Sequence, residues 1–98
     1  MATTNEIFLE GQAFYDARDF EAAVEKWTQA AEQGNADAQY MLGDCYYSGV
    51  GVGKNVHKAV EWFEKAAAQE DDDALDTLYV LAEQGVKDAK EALTRLKQ

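Results

Sequence analysis

Few residues of this chain could carry out a chemical step. It has a single histidine, His57, and a single cysteine, Cys45. A catalytic histidine needs a nucleophile and an orienting acid within hydrogen-bond reach. His57 stands near a helix start with no serine or cysteine pattern paired to it, so it reads as a solvated surface residue. Cys45 falls on the packed side of a helical segment, where a thiol fills a core instead of reacting. The run Gly49-Val50-Gly51-Val52-Gly53-Lys54 has the composition of a phosphate loop. A dinucleotide-binding turn follows a strand, however, and here a helical segment precedes. A Walker-type loop would need glycine at Ser48 and serine or threonine at Asn55. The loop is therefore read as structural. Glu70, Asp71, Asp72, Asp73 and Asp76 gather negative charge without calcium-loop spacing, and at the start of a helix they meet its dipole favourably. No catalytic residue, metal or cofactor is expected.

The chemistry that remains is recognition. At about 100° per residue, Phe8, Gln12 and Tyr15 share an arc of about 60° on one helix. Tyr40, Asp44 and Tyr47 take the same places 32 residues later. Aromatic anchors beside a carboxylate suit a peptide carrying lysine or arginine, through apolar burial, cation–π contact and charge pairing. The formal net charge of −10 argues against binding nucleic acid through its phosphates and for a basic partner. Residues 1–86 hold 17 acids and 5 bases, a net −12, while 87–98 hold 4 bases and 2 acids, a net +2. That polarity also allows weak head-to-tail self-association.

Helices must position these side chains. The chain has 98 residues, enough for one domain with a core. It is 47% hydrophobic and lacks proline, which favours an all-α fold over disorder. Thr3 or Thr4 caps a first helix to about Ala17, with Ile7, Gly11 and Phe14 at helical spacing. After a tight turn at Arg18-Asp19, Asp19 caps a second helix through about Gln33. Its apolar stripe is Phe20, Ala23, Val24, Trp27, Ala30 and Ala31. Gly34 ends that helix, and Asn35 caps a third running to about Ser48 with Met41, Leu42, Cys45 and Tyr46 inward. Beyond the glycine loop, Asn55 caps a fourth helix through about Gln69. Val56, Ala59, Val60, Phe63, Ala66 and Ala67 repeat the earlier stripe there. The acidic cluster opens a fifth helix ending near Gly85. Val86–Gln98 form a basic, amphipathic last helix that closes the domain, with Val86, Ala89, Leu93 and Leu96 inward. The N-terminus has no basic segment followed by a long apolar one, and no apolar run reaches transmembrane length, so neither a signal peptide nor membrane association is expected. With one unpaired cysteine, the expected location is cytoplasmic.

The second and fourth helices are copies. Ala23, Val24, Glu25, Ala30, Ala31, Gln33, Asp37 and Ala38 recur as Ala59, Val60, Glu61, Ala66, Ala67, Gln69, Asp73 and Ala74 at an offset of 36. Such periodicity marks stacked supersecondary units. Within it, Ala38, Leu42-Gly43, Tyr46, Gly49-x-Gly51-Val52, Lys58-Ala59, Trp62-Phe63 and Ala66-Ala67 resemble a Sel1-like repeat, a member of the tetratricopeptide superfamily. Asn55 replaces the usual aspartate, and Gly53 stands where proline is common. Thr4–Gly34 resembles a plain tetratricopeptide repeat through Gly11, Phe14, Tyr15, Ala23, Trp27 and Ala30. Tyr79 occupies the place of Gly43 in a degenerate third unit. The resemblance implies an all-α, αα-hairpin repeat solenoid of about six helices with a C-terminal capping helix. Its expected units are repeat 1 at about 4–34, repeat 2 at about 35–70, and a half repeat plus cap at about 71–98.

By the same resemblance, a concave ligand groove would comprise Phe8, Gln12, Tyr15, Tyr40, Asp44, Tyr47, Asp76 and Val80. The function implied is a non-enzymatic protein–protein interaction module holding a basic peptide or partner helix in an acidic, aromatic groove. The alternative is a small acidic inhibitor or immunity protein that occludes a basic toxin or enzyme; tight binding to one folded basic protein, not to peptides, would distinguish it. Some secreted Sel1-like relatives are linked to penicillin hydrolysis, but they carry paired cysteines in each repeat. With Cys45 alone, this chain is not expected to be an enzyme.

Overall fold

The computed structural model describes residues 2–98. Among them lie six helices and no strand: α1 (Thr4–Asp16), α2 (Phe20–Glu32), α3 (Ala36–Ser48), α4 (Val56–Ala68), α5 (Asp72–Glu83) and α6 (Lys87–Leu96). Helices begin where a side chain can accept from amides that lack an intrahelical partner. Thr3 accepts from the Glu6 amide while the Glu6 carboxylate accepts from the Thr3 amide, a reciprocal capping box. Asp19, Asn35, Asn55 and Asp71 accept from the amides of Ala22, Ala38, Lys58 and Ala74. Val86, expected inside the last helix, instead stands at its N-cap and offers no side-chain bond. No helix among the described residues is long and apolar enough to cross a membrane.

Consecutive helices pair as hairpins, α1 with α2, α3 with α4 and α5 with α6. Neighbouring hairpins then stack, α2 on α3 and α4 on α5, with α6 also reaching α4. The result is an αα-repeat solenoid of 37 × 24 × 16 Å. In the first two hairpins a ring lies on a glycine. A Cβ at Gly11 would stand 2.5 Å from the Trp27 ring, and one at Gly43 2.8 Å from the Phe63 ring. Only a residue without a side chain permits so close an approach. Both rings are fully buried, and the Trp27 indole N–H donates to the Phe8 carbonyl at 3.2 Å. In the third hairpin Tyr79 replaces the glycine and is 43% exposed, and the closing contacts come from Ala89, Ala92 and Leu93.

The stacking itself has a polar and a backbone component. Gln39 is buried; its amide donates to the Ala31 carbonyl at 3.1 Å, and its carbonyl accepts from Gln69 at 3.0 Å. Gln69 donates also to the Gly34 carbonyl, so one amide pair ties the end of α2 to α3 and α4. The glycine loop folds back on the start of α2. Gly51 sits in the left-handed region (φ 73°), and any Cβ there would collide with the Phe20 carbonyl. Its neighbour Val52 packs into the first core cluster. Phe14, expected to share a stripe with Ile7 and Gly11, is exposed. Tyr15 takes the place against the α2 rings in its stead, with centroids 5.1 Å from Phe20 and 5.5 Å from Trp27.

Candidate functional site

The strip expected along alternate helices divides in two. Phe8 is 9% exposed and packs on Trp27 at 6.4 Å, so it belongs to the core and not to a groove. Tyr40 is half-buried against Phe63 at 5.6 Å. The cause is common to both. A ring from the second helix of each hairpin covers Gly11 or Gly43, and the side chain three residues earlier on the same face lies over that ring. These two positions close hairpins instead of offering free anchors.

The remaining positions are more open. Gln12 is half-buried, while Tyr15 is 38% exposed with the inner edge of its ring on α2. Asp44 is exposed, yet neighbouring side chains strip enough water from its carboxyl to raise its pKa above the ordinary value. Among the described residues it enters no ion pair. Tyr47 is half-buried against the second core cluster, with the Lys54 ammonium 5.7 Å from its ring centroid. Asp76 and Val80 are exposed on α5.

Tyr15 and Asp44 come together. They line a cavity of about 50 Å³ with Met41, Cys45, Ser48 and Val50, between the C-terminal parts of α1 and α3 and the glycine loop. Tyr47, Asp76 and Val80 do not reach it. Ser48 and Val50, expected only as helix end and structural loop, also line the site; Ser48 is four residues past Asp44 and so on its face of the helix. The Cys45 thiol on the cavity floor is pushed up to about 11, first by burial and then by the Asp44 charge, which leaves it protonated and unreactive. His57 lies elsewhere, exposed between Asp88 at 2.9 Å and Glu61 at 3.0 Å. The hydrogen bond and charge of Asp88, with Glu61 beside it, raise its pKa.

The Sel1 repeat family model matches residues 1–35 and 36–71, including the first unit, whose residues alone resemble a plain tetratricopeptide repeat. This chain belongs to the Sel1 repeat family. A putative sel1-like repeat-containing protein of Acanthamoeba polyphaga mimivirus is 48% identical over 40 residues, 41% of this chain and 7% of the relative. The ERAD-associated E3 ubiquitin-protein ligase component HRD3A of Arabidopsis thaliana is 34% identical over 70 residues, 71% of this chain and 10% of the relative. The crystal structure of a Sel1 repeat protein from Oxalobacter formigenes superposes with a TM-score of 0.78 at 37% identity, over 81% of this chain and 24% of that one. The chain thus spans a tenth or less of these two curated relatives. Sel1 repeats generally mediate protein–protein interactions.

Proposed function

We propose that this Sel1 repeat domain is a non-enzymatic interaction module that takes a basic peptide or partner helix across Gln12, Tyr15, Asp44, Tyr47, Asp76 and Val80. The observation that carries the reading is the juxtaposition of open apolar surface with acids that have no cation of their own. Tyr15 and Val80 are 38% and 52% exposed, and Asp44 and Asp76 enter no ion pair among the described residues. Apolar contact supplies the burial, and the carboxylates steer a cationic partner and fix its register. The relative HRD3A, a component of a ligase, supports a protein as the partner.

The test is fluorescence anisotropy with a labelled lysine-rich peptide and an acidic peptide of equal length. The basic peptide binds and the acidic one does not, and added salt weakens the complex. Asp44→Asn with Asp76→Asn lowers affinity about tenfold, while Glu25→Gln on exposed α2 surface leaves it unchanged. Equal binding of both peptides, or indifference to the double substitution, would sink the reading.

A further inference from the structure

We propose that the cavity between Tyr15 and Asp44 is a receptor for one lysine side chain of the partner. This inference rests on the interaction surface proposed above and assigns it a point of specificity. Its size fits. A single water needs roughly 10–15 Å³ of cavity, so about 50 Å³ holds an ammonium and the last methylenes of a lysine. Its chemistry is divided in the same way. The Asp44 carboxylate and the Ser48 hydroxyl present acceptors for an ammonium, while Tyr15, Met41 and Val50 present apolar surface to the stem. Tyr15 also brings an aromatic ring to the lining, a group with which a cation interacts favourably. Arginine fits less well, because its broad planar guanidinium takes up more of so small a space than the compact lysine ammonium does.

The backbone contributes a second, independent attraction. α1 ends at Asp16 and α3 at Ser48, so the cavity lies by the negative ends of two helix dipoles. Neither helix carries a basic residue in its last turn. No ion pair within the described residues satisfies Asp44, and its raised pKa reflects dehydration without a compensating cation. An incoming ammonium reverses that balance. Cys45, kept protonated, leaves Asp44 as the anion that lines the space.

The experiment is an NMR titration of the full chain with Nα-acetyl-lysine N-methylamide, its Nε-acetylated form and the norleucine equivalent. The lysine probe shifts the amides of Asp44, Cys45 and Ser48 and lowers the midpoint at which the Asp44 carboxyl carbon titrates. Acetylation, Asp44→Asn or Ser48→Ala weakens binding, the first two by about tenfold. Unchanged helicity confirms that the variants fold. An equal response to norleucine, or an Asp44 midpoint that does not move, overturns the proposal. The lysine-rich peptide separates the two claims. Binding that Asp76→Asn weakens while the three cavity amides stay still removes the lysine receptor and keeps the interaction surface. Absence of peptide binding removes the surface as well.

Discussion

The first two hairpins and the third share a helical plan but are held by different forces. In α1–α2 and α3–α4 an aromatic ring seats on glycine, Trp27 on Gly11 and Phe63 on Gly43, and a second ring, Phe8 or Tyr40, covers it. In α5–α6 the glycine is Tyr79, no ring interlocks, and Leu78, Leu81 and Leu93 fill the core with alanines. Surface charge then fastens α6 to α4. The Arg95 guanidinium donates to both oxygens of Glu64 at 2.6 and 2.8 Å, and His57 meets Asp88. A glycine is thus the residue on which cohesion of a unit turns. Where it is lost, non-directional packing and exposed ion pairs replace a shape-specific contact, and these respond to pH and salt.

Removing the interlock has the largest expected effect. Trp27→Ala destabilises the fold by about 3–5 kcal/mol, as for other large buried aromatics, and removes the indole donor from the Phe8 carbonyl. Urea unfolding measures this directly. A value near zero would show that the first hairpin is held as the third is.

Gly43→Ala and Tyr79→Ala sharpen the contrast, because they alter equivalent positions. The new methyl at residue 43 meets the Phe63 ring at 2.8 Å and lies 3.1 Å from the Ala59 carbonyl. The buried Phe63 ring must shift to admit it, so overpacking costs about 1–3 kcal/mol. At residue 79 a half-exposed side chain is truncated, with a change within about 0.5 kcal/mol. Matching costs in a thermal melt would erase the distinction between the hairpins.

Much of this arrangement was legible in the sequence. Asp19, Asn35 and Asn55 announced their helices because capping is local chemistry, and the offset-36 copy announced the stacking. The strip was legible only in part. An angular projection places Phe8 and Tyr15 on one arc, but it cannot say that the ring of Trp27 extends along that arc and buries one of them. That depends on the separation between helices, which the glycines set through space. The amide pair Gln39–Gln69 was hidden for the same reason: Gln33 and Gln69 match in the repeat, yet their partners differ. Gln33 accepts from the Thr4 hydroxyl, whereas Gln69 reaches Gln39 and the Gly34 carbonyl. The cavity beside Asp44 needed the loop to fold back and bring Val50 across from Tyr15.

Breaking the Arg95–Glu64 pair has a smaller effect. Glu64→Gln leaves one oxygen to accept and removes the charge, so the melting temperature falls slightly at low ionic strength. In about 1 M salt, where screening acts within roughly 3 Å, wild type and variant converge. The cost of Trp27→Ala persists there, since apolar burial is not screened.

The smallest effect belongs to His57, and its sign follows from the direction of its shift. The imidazole is exposed, so solvent screens its partners and the contribution is slight. Asp88 and Glu61 raise its pKa above the ordinary 6.5 in the folded chain. The native state therefore binds the proton more tightly than the unfolded state does. That stabilisation is fully present below about pH 6.5 and is lost as the pH rises through the folded pKa. His57→Gln accordingly lowers the melting temperature at about pH 5.5 and loses that effect by about pH 8.5. Trp27→Ala and Gly43→Ala show no such trend, because no titrating group enters their contacts. A penalty for His57→Gln that is flat between those pH values would mean that the imidazole joins α4 to α6 by shape alone, leaving Arg95–Glu64 as the charged contact of the third hairpin's attachment.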